Sequence, residues 1–265
     1  MKASLHIQVG LSGDRTFLRS AFCTTPLKVA NITENKKAHL LELMIMSSSP
    51  GILDGDQHQL KIDLDAGAML KLHTQSYQRL FNMKEAASQS MQVNMQPGSS
   101  FCFLPHPTVP HKSSSFTATT RINLSENCNL ILGEILTCGR KLNGEIFSFS
   151  KYHSVTEIFL HGKLVIKENL VVIPSATNLN AIGQWEAYTH QASLVYLDEN
   201  APVTELIKTI QEILSPQNEI IFGISQAPGN GLVIRILGQK AEQLFECLKT
   251  VSEVLKKSKK LQTIL

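Results

Sequence analysis

The chain has 265 residues, 43% of them hydrophobic, enough to bury a large core in one domain or in two intimately packed ones. Lysine and arginine number 25 against 22 acids, a formal +3 that is too weak and too dispersed to point to nucleic acid or a membrane surface. Five scattered cysteines, Cys23, Cys102, Cys128, Cys138 and Cys247, form no C-x-x-C pair, which argues against a disulfide framework or zinc knuckle and suits a reducing cytoplasm.

The opening MKASLHIQVGLSGDRTFL lacks the unbroken apolar core of a signal peptide, and no stretch approaches the ~18 apolar residues of a membrane helix. From Met1 to about residue 175 the chain runs in short segments, among them LHIQV, LLELMIM, HQLKIDL, MLKLHT, SMQVNM, TRINL and NLILGEIL. Most alternate or are β-branched, and Gly, Pro, Asn or Ser interrupts them, so they predict many short strands rather than βαβ units. The segment from Gln78 to Gln92 fits either a helical turn or a strand-connecting loop.

After Pro174 the pattern changes. Ala187 to Leu197 predicts a strand, and Pro202 to Leu214 a helix with Val203, Leu206, Ile207, Ile210 and Leu214 on one face. IIFGIS and LVIRIL flank the turn Pro228-Gly229-Asn230-Gly231 as a hairpin, and a second helix follows from about Gln239 to Lys257. The expected fold is therefore mainly β, with stacked short-strand sheets, β-helix-like or a sandwich, over residues 1–175. A small α/β part with two helices, 176–265, packs on it as one continuous unit.

Several motifs carry polar groups that could act. In SPGILDGDQHQLKI, Gly51 and Gly55 supply turn geometry and Asp56 either bonds local amides or aims a carboxylate into a cavity. LHTQSYQRLF gathers His73, Thr74, Gln75 and Tyr77 at a strand end, where polar groups usually satisfy turn backbone. FLPHPTVPHK sets His106 and His111 on a stiff proline loop around Pro105, Pro107 and Pro110. Two imidazoles could hold nickel, but a convincing site needs three or four ligands. Glu134, Arg140 and Glu145 lie within twelve residues. Two acids suggest glycoside hydrolysis, yet an intervening arginine would keep both ionised, so an ion-pair network fits better. No P-loop, G-x-S-x-G, Rossmann or H-E-x-x-H pattern occurs, which disfavours an enzyme.

In their order and spacing these landmarks resemble the UreD family of urease accessory proteins, called UreH in some bacteria. They are Ser48, Pro50, Gly51, Gly55 and Asp56; Gly67-Ala68; Thr74-Gln75 before an aromatic; and the loop Leu104–Pro110 with Pro105. Further along come Glu134, Gly139-Arg140, Gly144-Glu145 and Phe147, then LVIRILG at Leu232–Gly238. The resemblance spans nearly the whole chain. Pro50 stands where many members have glycine, and His106 and His111 replace residues commonly not histidine.

The resemblance implies a non-enzymatic, β-rich scaffold that binds UreF and, through it, the GTPase UreG, and docks on apo-urease in a hetero-oligomer such as a dimer of heterocomplexes. GTP hydrolysis in UreG then drives nickel into urease, and nickel visits the chain only in transit along an internal route, which Asp56, Glu134 and Glu145 are expected to line. Two alternatives are a plain adaptor that nickel never enters, and a β-fold glycoside hydrolase with two facing acids in an open cleft. The lysine-rich end, KTVSEVLKKSKKLQTIL, is expected to lay Leu255, Leu261, Ile264 and Leu265 against UreF.

Overall fold

In the computed structural model, which describes residues 1–35 and 39–262 and the side chains up to 257, the chain forms seventeen strands and two α-helices. In order they are β1 (Lys2–Ser12), β2 (Arg15–Cys23), β3 (Leu27–Asn31), β4 (Leu40–Ser47), β5 (Gln57–Leu64), β6 (Met69–Thr74), β7 (Gln78–Leu80), β8 (Ala87–Met95) and β9 (Ser100–Phe103). Then follow β10 (Thr108–Pro110), β11 (Ser115–Leu124), β12 (Asn129–Thr137), β13 (Lys151–Leu160), β14 (Lys163–Val172), β15 (His190–Asp198), α1 (Val203–Leu214), β16 (Ile220–Ala227), β17 (Gly231–Gly238) and α2 (Ala241–Gln262). The stretch from Gln78 to Gln92 is thus strand, turn and strand, with no helical turn, because it supplies partners to both sheets.

One sheet has the order β14-β13-β11-β8-β5-β1-β2, and the other runs β16-β17-β15-β12-β9-β6-β4-β3, with β10 and β7 branching from β12. From β4 to β13 the chain alternates between them, laying one strand on each sheet per turn, so neighbours within a sheet pair in parallel. Parallel pairing forbids a tight hairpin, and here the return is made by the opposite sheet rather than by a helix. The result is a flattened coil, β-helix-like in winding and a sandwich in section. Its ends close with antiparallel strands, β2 and β14 on one sheet and β3 and β15 on the other.

Burial follows the alternation. In β1, Ala3, Leu5, Ile7 and Val9 point inward, and in β5 His58, Leu60, Ile62 and Leu64 do. β12 is buried on both faces, which explains its unbroken apolar run NLILGEIL. Its even-numbered residues face the other sheet, whereas Ile131 and Ile135 pack under the helices. There Val203, Leu206, Ile210 and Leu214 of α1 meet Leu244, Leu248, Val251 and Leu255 of α2. Because β15 pairs with β12 and β17 with β15, the second sheet runs without a break across residue 175. Among the described residues no helix is long and apolar enough to cross a membrane.

Candidate functional site

Between the sheets the apolar filling divides. One core cluster surrounds Ile7, Ile62, Val93, Phe101 and Ile122, and another Leu80, Phe116, Leu136, Phe149 and Trp185. A cavity of about 210 Å³ lies between them, lined in part by His58, Gln78, Gln89, Glu134, Tyr152, Ser154, Thr156 and Glu168. The loops at 47–52 and 74–78 form its mouth, where Pro50 and Gln75 are exposed.

Glu134 is the centre of this interior. β12 turns its side chain toward the opposite sheet, where its carboxylate accepts hydrogen bonds from the Tyr152 hydroxyl at 2.5 Å and the Ser154 hydroxyl at 3.1 Å. A water-sized sphere reaches part of it only because it faces the cavity; protein surrounds it otherwise. Burial raises its carboxyl above the ordinary range, the Tyr152 and Ser154 hydrogen bonds oppose that, and Glu168 adds to the rise. At the far side Glu168 on β14 meets Arg235 on β17 at 2.5 Å, an ion pair that ties one sheet to the other.

Asp56 and Glu145, expected on the same route, are held elsewhere. Asp56 is 6% exposed; it accepts from the Met1 amino group at 2.8 Å and from the Leu53 N–H at 2.8 Å, and lies outside the cavity lining. Burial raises its carboxyl, but those two donors outweigh it and hold the group below its usual value. Glu145 sits on the loop after β12, clamped by Arg140 Nε at 2.9 Å and by Arg140 Nη2, with the Lys112 N–H at 3.1 Å. The guanidinium holds its carboxyl down to about 2. Among the described residues Arg140 therefore pairs with Glu145 and not with Glu134. The expectation that it keeps both acids ionised fails, because β12 ends at Thr137 and only residues beyond it reach the loop.

The histidines of the proline loop also separate. His106 accepts from or donates to Thr74 Oγ1 at 3.0 Å and stacks on Phe245 with ring centroids 4.8 Å apart, while His111 packs on Phe81 at 4.7 Å. Among the described residues no three His, Cys, Asp or Glu side chains gather as a metal cluster, and the two imidazoles of the loop face different neighbours. Nor is it a free solvent loop: Thr108–Pro110 pairs with β7, and Pro107, Pro110 and His111 are buried.

The family model for the UreD urease accessory protein matches residues 1–263. The urease accessory protein UreD of Flavobacterium johnsoniae is 42% identical over 95% of this chain and 91% of its own length. Those of Acetivibrio thermocellus and Haemophilus influenzae are 34% and 36% identical, each over 96% of this chain and 97% and 98% of their own. This chain belongs to the UreD family. Membership makes it a urease accessory protein, which implies a role in urease maturation.

In this UreD chain the landmark glycines are steric. A Cβ on Gly51 would stand 2.4 Å from the Arg79 carbonyl oxygen, where Ile52 bridges to Leu80. Gly139, at φ +115°, would bring one to 2.8 Å from the Pro110 oxygen. Gly55 and Gly144 take positive φ in the turns that present Asp56 and Glu145. Thr74 accepts the His106 N–H at 2.9 Å and Gln75 donates to the Ile45 carbonyl at 3.0 Å, which fixes the cavity mouth with Pro105 beside it. Leu255 is wholly buried under β15, so its surface is already covered. The side chain of Leu261, and Ile264 and Leu265, lie outside the described residues.

Sequence reasoning missed Tyr152, Ser154, Glu168, Arg235 and His58. A signal existed for two of them: in YHSVTEIFL, Ile158 and Leu160 assign the even positions to the core, so Tyr152 and Ser154 put hydroxyls inside.

Proposed function

We propose that this chain is a cytoplasmic urease maturation factor that binds UreF directly and UreG through it, docks on apo-urease, and passes nickel through the cavity between its sheets while UreG hydrolyses GTP. The supporting observation is Glu134: a carboxylate inside a sandwich, accepting two hydroxyls and facing open space, has no need to be there for stability. Carboxylate, hydroxyl and amide oxygens around a water-sized passage suit a partly hydrated divalent cation. Asp56 and Glu145 drop out of the route, since neither lines the cavity, and Glu168, which does, takes their place as the second acid.

The hydrolase reading lacks its geometry. Glu145 is off the cavity, and Glu168, the other acid beside Glu134, is held by Arg235 rather than free to act as base or nucleophile.

The test is urease activation with apo-urease, UreF, UreG, bicarbonate, nickel and GTP. Activation depends on this chain, and Glu134→Gln lowers it about tenfold or more while leaving UreF binding intact. Full activation with Glu134→Gln would leave the adaptor, with nickel delivered outside this chain.

A further inference from the structure

The two sheets are unequal at one end. Arg235 of β17 bonds Glu168 of β14, so β17 lies over β14, the last strand of its sheet. β16 pairs with the far side of β17 and therefore overhangs, with no strand of the opposite sheet beneath it among the described residues. Burial agrees. On β16, Ile220, Phe222 and Ile224 pack under the helices, whereas Ile221, Gly223 and Ser225, on the inward face, are exposed, Ile221 by 45%. A Cβ built on Gly223 would meet nothing within 4 Å, so the space under the overhang is open.

The free edge of β14 forms the floor of this notch. Among the described residues β14 pairs with β13 alone, which leaves the N–H and C=O groups on its other side for a further strand. Natural sheets blunt such an edge with a charge, a proline or a covering loop. Here β14 contains no proline, and Lys167, in mid-strand, is drawn back across its own sheet to Glu157 at 2.9 Å. One more strand would lie about 4.8 Å from β14 and about 10 Å below β16, the ordinary spacings of a sandwich.

The roof states what that strand must carry. Ile221 stands opposite Leu237 and Ser225 opposite Val233, while between them Gly223 stands opposite Arg235. The two flanks want apolar side chains, and the open centre beside a guanidinium that is 58% exposed wants a carboxylate. A second copy of this chain does not fit. Its β14 would bring its own β17 into the space that β16 already fills.

We infer that the notch between β14 and β16 takes an extended segment of a partner protein as an added strand of the first sheet. Its apolar side chains meet Ile221, Leu237 and Val233, and a carboxylate among them meets Arg235. The inference rests on the proposed function only for the partners offered as probes.

The test is hydrogen exchange read by mass spectrometry on the full-length chain alone, with UreF, and with apo-urease. The expected result is that one of the two slows exchange in Lys163–Val172 and Ile220–Ala227 by about tenfold or more. Gly223→Phe, which fills open space, and Ile221→Glu, at an exposed site, should each weaken that partner's binding about tenfold, with circular dichroism unchanged. Binding without slowed exchange in these strands overturns the inference and leaves the proposed function standing. Slowing that grows with concentration in the chain alone, which would mean self-pairing, also overturns it, as does full affinity in both variants. Failure of both partners to bind overturns the inference and the proposed function together.

Discussion

Replacing Glu134 separates its hydrogen bonds from its charge. Alanine leaves the Tyr152 and Ser154 hydroxyls without their acceptor. Each orphaned group costs about 1–3 kcal/mol, and cavity water recovers part of that, so Glu134→Ala should lose roughly 2–4 kcal/mol. At about 2–4 °C per kcal/mol for a chain of this size, Tm falls by roughly 4–16 °C. Glutamine keeps an acceptor oxygen and should stay within about 1 kcal/mol of wild type at pH 4. The two then diverge. Because the folded carboxyl titrates above its unfolded value, its stabilising contribution is complete below about pH 4.3 and is lost as pH rises through the folded pKa. Glu134→Gln has no such loss, so its advantage grows by up to about 1.4 kcal/mol per pH unit across that window and is constant above it. Thermal unfolding by circular dichroism from pH 4 to 9 reads both effects. Parallel curves for Glu134→Gln and wild type, or equal losses for glutamine and alanine at pH 4, would refute the buried-carboxyl account.

Other substitutions test the surroundings. Arg140→Ala should lift the Glu145 carboxyl from about 2 toward the ordinary value near 4, seen by carboxyl NMR titration. The stability that pair contributes is present above the unfolded pKa of Glu145 and lost as pH falls through the folded one, and solvent screening keeps it small. Gly51→Ala should cost about 1–3 kcal/mol by forcing the Arg79 backbone away, with hydrogen exchange accelerated at Ile52 and Phe81, whose amides bond across that contact. Leu255→Ala should cost about 2–5 kcal/mol by denaturant unfolding, since the side chain fills the space under β15. For the same reason, deletion of residues 250–265 removes core side chains Val251 and Leu255. Deletion of 258–265 is the cleaner probe of partner binding; unchanged affinity for UreF would discard the tail as a contact.

The fold was legible where one periodicity ruled. The period-2 runs became strands, the apolar spacing of Val203, Leu206, Ile210 and Leu214 became α1, and Asn230-Gly231 became the hairpin between β16 and β17. The winding was not legible, because a strand does not announce which of two sheets it joins, and parallel partners sit a full turn apart in sequence. Of the three acids only Glu134 lines the cavity, while Pro50, Thr74, Gln75 and Pro105 among the landmarks stand around it. Asp56, Glu145 and Arg140 stand in the same ordered landmarks, but turns and local ion pairs demand those residues as strongly as a cation route would. Glu168 and Arg235, joined across 67 residues, reveal their pairing only in three dimensions.

The alternation of strands between two sheets also sets the order in which the chain can fold. Each turn of the coil takes its edge from a neighbouring turn, and its contacts join residues far apart in sequence, so folding is slow. The outer face of the second sheet, with Ile131, Leu194 and Tyr196, gains its cover only when α2 has left the ribosome. Until then a nascent chain carries a growing strand edge and a bare apolar surface together, the combination most prone to aggregate. Expression yield should therefore depend on temperature and chaperone supply far more than the stability of the finished sandwich would suggest.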